Sequence, residues 1–312
     1  MILPIPRPRG GHWPVGSHRR GTAYVLAAAT VWGSLGVVGR IAFRTGVTPL
    51  EAAFFRAAIS FIVLLGWMLA TNRSALRIRP RDLGLFALFG LISIAAFFFV
   101  YLFAISQTSV AIAAILLYTA PAFVVVLSAV LFHEPVTRVK AGAVLLALVG
   151  SVLVVRGYRF ESRHFTLPGV LAGLGAGVTY GLYSIFGKSA LRRYGAMTIL
   201  TYALGFGTLF LGIAVTLTRA VVWSHPTLGW GAILYLALVT TLLAQGLYLF
   251  GLRDLEAGRA SLVATLEPVV AVGLAYVLLG EGVDVCQLVG GALILSAVVA
   301  VQWIPPSSGE AR

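Results

Sequence analysis

The chain has 312 residues, of which 59% are hydrophobic and 11% are charged, and its formal net charge is +13. Soluble domains are roughly 45–50% apolar and about 25% charged, so a soluble fold could not bury this much apolar surface. The positive charges lie between the apolar blocks, which points to orientation in a lipid bilayer rather than to nucleic acid as a partner.

Ten apolar blocks follow one another along the chain. The first five cover about residues 22–42, 50–70, 83–105, 110–131 and 139–155, and the second five cover about 167–191, 198–217, 229–252, 257–279 and 285–301. Each has the length of a membrane-spanning helix, and the polar alternation typical of a membrane barrel is not found. We predict a cytoplasmic tail at 1–21, five-helix repeats at 22–156 and 157–304, and a second cytoplasmic tail at 305–312.

The basic residues predict the orientation of these spans. If the N-terminus is cytoplasmic, fifteen Lys and Arg residues fall on that side of the membrane and five on the other. Cytoplasmic loops are enriched in these residues, so both termini are predicted to be cytoplasmic. We expect a multi-pass protein of a bacterial cytoplasmic (inner) membrane. The sequence leaves the oligomeric state open, and a monomer is one option.

An internal repeat relates the two halves. Three pairs share one spacing of 147 residues: Tyr101 with Tyr248, Pro121 with Pro268, and Glu134 with Glu281. Such a shared register would rarely arise by chance. Because each repeat has an odd number of spans, the second must be inserted upside down relative to the first. The predicted fold is therefore an all-α integral membrane protein of ten transmembrane helices, arranged as two inverted five-helix repeats.

These marks resemble the EamA-type branch of the drug/metabolite transporter superfamily over nearly the whole chain. The resemblance rests on Trp32-Gly33, Tyr118-Thr119-Ala120-Pro121 with Glu134-Pro135, and Leu266-Glu267-Pro268 with Gly280-Glu281. One departure is Gly282, which stands where the first repeat has Pro135. The resemblance implies a ten-helix fold with a central cavity and the export of amino acids or related metabolites.

Two prolines are candidate kink or gating residues. Pro121 and Pro268 lie near the middle of their spans, where each removes the hydrogen bond to the carbonyl four residues earlier. Within hydrocarbon a freed carbonyl is tolerated only where protein or a water-filled cavity satisfies it. We expect both prolines to line the central pathway; the alternative is a packing kink without ligand contact.

Glu267 is the only carboxylate near the centre of a span. A charge there costs about 2.5–3.5 kcal/mol on insertion scales, so such residues usually face a wet interior. It could bind a substrate ammonium group or carry a proton. Alternatively, it could be internally paired and fix the helix break.

Further substrate-binding candidates are aromatic or polar residues within the spans. Aromatic rings can contact apolar or cationic parts of a ligand, and their hydroxyl or indole N–H groups can contact polar parts. Each of them could instead serve ordinary helix packing. Basic residues such as Arg56 are expected to reach the interface, with recognition of a substrate carboxylate or phosphate as the alternative for Arg56. The candidates are Trp32, Tyr101, Tyr118, Thr119, Tyr180, Tyr183, Gln245 and Tyr248.

Enzyme chemistry, metals and cofactors are not predicted. The five histidines lie in the tail or the loops, Cys286 is the only cysteine, and no phosphate-binding loop or metal-binding spacing occurs. An intramembrane enzyme would need convergent carboxylates, histidines or a metal in the spans.

We predict a transporter that exports small metabolites, amino acids first, by alternating access through a central cavity between the repeats. Its driving force is either the substrate gradient alone or proton antiport through Glu267. Alternatives are a proton-coupled carrier of drugs, a carrier of phosphorylated metabolites or nucleosides, and a non-transport membrane subunit.

Overall fold

The computed structural model describes residues 15–108, 110–158, 166–218, 224–280 and 282–303, and every regular element in them is helical. Nine helices of this part are long and apolar enough to cross a membrane. One further helix, Arg138–Val154, brings the number of spans to ten. It has 17 residues, which is near the lower limit for a spanning helix. The predicted all-α membrane fold of ten spans is confirmed. Residues 1–14 and 305–312 of the predicted tails, and Glu281, lie outside the described residues.

The first repeat forms spans α1 to α5, of which α1, α3 and α4 consist of successive segments. Two short 3₁₀ turns, Arg73–Leu76 and Pro80–Asp82, connect α2 to α3. The bounds are Val15–Gly33 and Leu35–Arg44 for α1, Pro49–Thr71 for α2, Leu83–Phe89, Gly90–Ala96 and Phe97–Gln107 for α3, Val110–Leu117 and Ala120–Phe132 for α4, and Arg138–Val154 for α5.

The second repeat forms spans α6 to α10, of which α8 and α9 are segmented. The bounds are Leu167–Ala190 for α6, Ala196–Thr218 for α7, Thr227–Tyr235, Leu236–Leu243 and Ala244–Asp254 for α8, Ala257–Ala264 and Glu267–Leu279 for α9, and Val285–Gln302 for α10.

Side-chain caps determine where several spans begin. Thr48 precedes α2, accepts a hydrogen bond from the Glu51 backbone N–H, and donates its own N–H to the Glu51 carboxylate. Asp284 and Gln287 make the same reciprocal pair at the start of α10. Such capping boxes satisfy N–H groups that the first helical turn leaves without a partner.

Spans of one repeat pack against spans of the other. Span α1 packs on α8, as its counterpart α6 packs on α3. Spans α2 and α5 pack against their own counterparts, α7 and α10. These pairings are those of two repeats related by a two-fold axis, which inverted insertion requires.

Irregular backbone recurs at equivalent positions as well. Gly90–Ala96 in α3 and Leu236–Leu243 in α8 are both π-helical. Spans α4 and α9 are each interrupted just before the proline that the sequence singled out. Span α1 breaks the symmetry, since it is interrupted at Ser34 while its counterpart α6 is continuous.

The bundle is tightly packed at the end where α1 begins. All eight residues of the first α9 segment, Ala257–Ala264, are buried. The Glu134 carboxylate, from the end of α4, accepts hydrogen bonds from the Ala257 and Gly258 N–H groups at 2.8 and 3.2 Å. Glu134 thus caps a helix N-terminus, and the helix that it caps belongs to the other repeat.

Candidate functional site

The break in α9 places a carboxylate at the start of a new helix segment. The first segment ends at Ala264, and the second begins with Glu267 followed by Pro268. Proline is tolerated in a first helical turn because its missing N–H would have no partner there. The same turn favours a negative charge, since the helix dipole is positive at this end. The helix start before Pro268 and the helix dipole therefore both favour a negatively charged residue at position 267.

Glu267 lies deep in the protein and is still partly accessible. The Tyr180 hydroxyl lies within hydrogen-bonding reach of its carboxylate, and the Arg56 guanidinium acts on it electrostatically. Glu267 is thus a mid-span carboxylate that is surrounded by protein and remains partly accessible.

Four of the predicted aromatic residues form one cluster beside this carboxylate. The ring of Trp32 lies 5.3 Å from that of Tyr248 and 6.4 Å from that of Tyr180, measured between centroids. Tyr183 lies 6.0 Å from Tyr248. The Tyr248 hydroxyl is 2.7 Å from the Ser184 hydroxyl, so its polar end has a partner. Spans α1, α6 and α8 thus contribute to a single aromatic wall.

Phe97 extends this wall to α3. Its ring lies 5.4 Å from that of Tyr180 and 5.8 Å from that of Tyr101. Tyr118, at the α4 break, lies in the neighbourhood of Tyr101, Tyr180 and Glu267. Tyr101, Tyr118 and Tyr180 are all partly accessible, as Glu267 is. All three lie near the carboxylate, and the Tyr180 hydroxyl is within hydrogen-bonding reach of it.

The remaining predicted site residues lie outside the aromatic cluster. The Thr119 hydroxyl donates to the Leu116 carbonyl at 2.6 Å and so supports the α4 break. Gln245 is buried, and its Oε1 has no hydrogen-bond partner among the described residues. Pro121 and Pro268 are buried in the first turns of their restarted segments.

The π-helical segment of α8 orients two side chains at the site. The Trp32 indole Nε1 donates to the Thr240 carbonyl at 3.0 Å. The Arg56 Nε donates to the Thr241 hydroxyl at 2.8 Å. A π-helical turn alters the local backbone bonding and is often found at functional positions. Sequence reasoning missed this segment, because its letters, LALVTTLL, show only an apolar run with two threonines.

Arg56 does not reach the membrane interface. The residue is 7% exposed, and its guanidinium lies 4.8 Å from the centre of the Phe98 ring. The expectation that this side chain extends to the interface is therefore wrong, and the alternative of a site residue stands. One sequence signal favoured that alternative, namely the depth of Arg56 within α2, beyond the first turn.

The assembled site offers one carboxylate, one guanidinium and a wall of aromatic rings within the spans. These groups can bind charged and apolar parts of a small molecule at the same time. No group of three or more His, Cys, Asp or Glu side chains able to hold a metal ion occurs in the part of the chain that the structure describes.

Comparison with known proteins gives a family match in each half of the chain. The profile of the EamA-like transporter family matches residues 19–156 and again residues 167–303. An uncharacterized transporter of Archaeoglobus fulgidus is 31% identical over 285 residues, which cover 91% of this chain and 97% of the relative.

Two further relatives have more specific names. The "Uncharacterized inner membrane transporter YicL" of Salmonella typhimurium is 24% identical, with 92% of this chain and 96% of the relative covered. The "Probable terminal-alkyne amino-acid exporter" of Streptantibioticus cattleyicolor is 29% identical over 229 residues, or 72% of this chain and 75% of the relative.

A solved crystal structure has the same fold. It superimposes with a TM-score of 0.78 at 20% sequence identity, and the match covers 90% of this chain and 95% of the solved one.

Proposed function

Because the chain belongs to the EamA-like transporter family, we propose that it exports small amphipathic metabolites, amino acids first among them, across a bacterial inner membrane with both termini in the cytoplasm. The observation that carries this proposal is the partly accessible Glu267 carboxylate, surrounded by aromatic side chains in the middle of the bundle. The relative named as an amino-acid exporter supports the same substrate class.

Glu267 binds the ammonium group of the substrate in this proposal. A carboxylate is the side chain that accepts charge-assisted hydrogen bonds from a substrate cation, and neighbouring ring faces also attract cations. The apolar part of the substrate then packs against the aromatic wall where its rings are partly accessible, at Phe97, Tyr101 and Tyr180. Substrates with both an ammonium group and an apolar portion satisfy the two features together.

Alternating access uses the two ends of α9 differently. The first segment, Ala257–Ala264, is wholly buried. In the second segment, Glu267–Leu279, only Pro268 and Ala275 are buried among the described side chains. This difference supports a form closed at the end where α1 begins and less tightly packed at the other end. Exchange of the two packings between the inverted repeats would open the site to the opposite side.

Efflux of a mixed amino acid panel from liposomes that contain the purified protein tests the proposal. Wild type should release a subset of the panel, and Glu267→Gln should lose that selective release, because the amide keeps the shape of the side chain and removes its charge. Tyr276→Phe is the matched control: it lies on the same span, is 58% exposed, and should release the panel as wild type does. If wild type moves no amino acid, the assignment fails.

Export could be driven by the substrate gradient alone or coupled to proton antiport through Glu267. The proton and the substrate ammonium group would then compete for the Glu267 carboxylate, so that protonation of Glu267 releases the substrate. A pH gradient imposed across the liposome membrane separates the two driving forces. If acidification of the receiving side leaves the efflux rate unchanged, export is driven by the substrate gradient alone.

A further inference from the structure

Arg56 is a buried cation in the middle of the bundle. A charged side chain at this depth is costly unless it is paired, and a charge that persists there usually has a functional partner. The protein satisfies Arg56 only in part. In the described residues its single hydrogen bond runs from Nε to Thr241, so both terminal nitrogens of the guanidinium are unused.

The arrangement fixes the plane of the guanidinium before any ligand arrives. Thr241 holds one edge at Nε, and the Phe98 ring lies beneath the group at 4.8 Å. The terminal nitrogens still present donors in a planar fork, which matches the two oxygens of a carboxylate. Preorganisation of this kind reduces the entropy that binding must overcome.

Glu267 supplies the opposite charge without neutralising Arg56. The two groups interact electrostatically, but no ion pair within 4.0 Å joins these two described side chains. A series of aromatic contacts links the surroundings of the two groups: Phe98 lies beneath Arg56, its neighbour Phe97 contacts Tyr180, and the Tyr180 hydroxyl lies within hydrogen-bonding reach of Glu267. The site therefore has a positive pole, Arg56, and a negative pole, Glu267, which interact electrostatically and are not joined as an ion pair.

We propose that Arg56 binds the α-carboxylate of the transported molecule while Glu267 binds its ammonium group, so that the substrates are zwitterionic α-amino acids with an apolar or aromatic side chain. This inference rests on the proposed function and defines its substrate class. A simple amine would leave the Arg56 charge without a partner, and a simple carboxylate or phosphate would be repelled by Glu267. Only a molecule with both charges pairs both poles.

Competition among phenylalanine and two analogues, each of which lacks one of its two charged groups, tests this recognition. Binding of labelled L-phenylalanine to the purified protein is challenged with unlabelled L-phenylalanine, 2-phenylethylamine and 3-phenylpropionate. The amine and the acid should each compete about 10- to 100-fold more weakly than the amino acid, the usual effect of losing one charge-assisted hydrogen-bonded group. Equal competition by the amine or by the acid would overturn the inference, and this arm requires no variant.

Variants then assign the poles. Arg56→Gln should lose the preference for L-phenylalanine over 2-phenylethylamine, and Glu267→Gln should lose the preference over 3-phenylpropionate. Arg192→Gln is the matched control, because the Arg192 guanidinium also lies over a phenylalanine ring, 4.7 Å from that of Phe132, but belongs to the loop between α6 and α7. It should keep both preferences.

Arg56→Lys covers the possibility that Arg56→Gln does not fold. Lysine keeps the positive charge but not the planar fork, so it should bind L-phenylalanine more weakly than wild type and still prefer it to the amine. If wild type binds and exports amino acids while both Arg56 variants keep the wild-type preference, the role of Arg56 is wrong and the proposed function stands. If wild type exports no amino acid, the proposed function fails, and this inference fails with it.

Discussion

The breaks in α4 and α9 have the same backbone and different chemistry. Each helix stops two residues before a new segment that carries proline at its second position. At the first position of that segment α9 has Glu267, which is partly accessible, whereas α4 has Ala120, which is 0% exposed. The backbone geometry is repeated, and the ionisable group occurs in one copy.

This difference indicates how the two repeats divide their tasks. Features that allow the bundle to rearrange, such as breaks and π-helical segments, recur in both halves because alternating access needs two similar halves. Features that recognise a substrate need to occur only once, because the substrate itself has no two-fold symmetry. Arg56, Thr241 and Glu267 accordingly have counterparts that are apolar: Ala203, Ile94 and Ala120.

Moving the carboxylate from one break to the other should have the largest effect. Glu267→Ala should reduce L-phenylalanine binding about 10- to 100-fold, since a charged hydrogen-bonding partner is lost. Combining it with Ala120→Glu should not restore binding. Ala120 packs against Gly181 of α6, where an added Cβ would lie 3.9 Å from the Ala120 Cβ. A glutamate there has no partner and little room, so the yield of folded protein should fall as well.

Detergent-solubilised yield and equilibrium binding measure the two parts of this prediction. Glu267→Ala alone should give a wild-type yield, because it removes a charge from a partly accessible place. Wild-type binding by the double variant would mean that the two breaks are interchangeable, and the division of tasks between the repeats would be wrong.

The spans and the two proline breaks could be predicted from the sequence, whereas the position of Arg56 could not. The reasons are physical. The ten spans and the breaks at Pro121 and Pro268 follow from apolar length and from the missing proline N–H, both of which are local properties. The position of Arg56 could not be predicted in this way, because the hydroxyl that accepts its hydrogen bond belongs to Thr241, which lies 185 residues away along the chain. The break at Ser34 has no proline; the Ser34 hydroxyl there donates to the Val31 carbonyl and lies 3.1 Å from the Tyr235 hydroxyl.

Replacing the two prolines separately tests whether the breaks in α4 and α9 have the same role. Pro268→Ala restores an N–H that can bond to the Ala264 carbonyl, so α9 can become continuous and reorient Glu267. Efflux of L-phenylalanine from liposomes should slow several-fold. Pro121→Ala should slow efflux less, because no charged group depends on the α4 break.

Pro49→Ala is the control for this pair. Pro49 occupies the first position of α2, behind the Thr48 cap, where the helix begins with or without proline. Its efflux rate should equal that of wild type. An equal loss in the Pro121 and Pro268 variants would show that the breaks act only as hinges and that the position of Glu267 contributes nothing further.

The π-helical segments provide a third test. Thr241→Val keeps the volume of the side chain and removes the hydroxyl that holds Arg56, so L-phenylalanine binding should weaken by roughly 5- to 10-fold, the effect of one lost hydrogen bond. The counterpart of Thr241 in α3 is Ile94, which packs against Gly207 and has no polar role. Thr216→Val is the chemical control, since its exposed hydroxyl bonds only to the Gly212 carbonyl of its own helix. Equal binding by both valine variants would show that the Thr241 hydroxyl does not contribute to L-phenylalanine binding.

The smallest effect is expected where α4 and α9 end. His133 and Gly280 are equivalent in the two repeats, and both adopt left-handed backbone angles, with φ of 58° and 65°. A residue with a Cβ costs about 1–2 kcal/mol in this conformation, and glycine avoids that cost. His133→Gly should therefore raise the midpoint of thermal unfolding in detergent by a few degrees, and Gly280→Ala should lower it by a similar amount. L-Phenylalanine binding should be unchanged in both variants, because neither position contacts the aromatic wall or its two charged poles. Should His133→Gly lower the midpoint instead, the imidazole must make a stabilising contact that exceeds the backbone cost, and the equivalence of the two helix ends would be limited to their backbone.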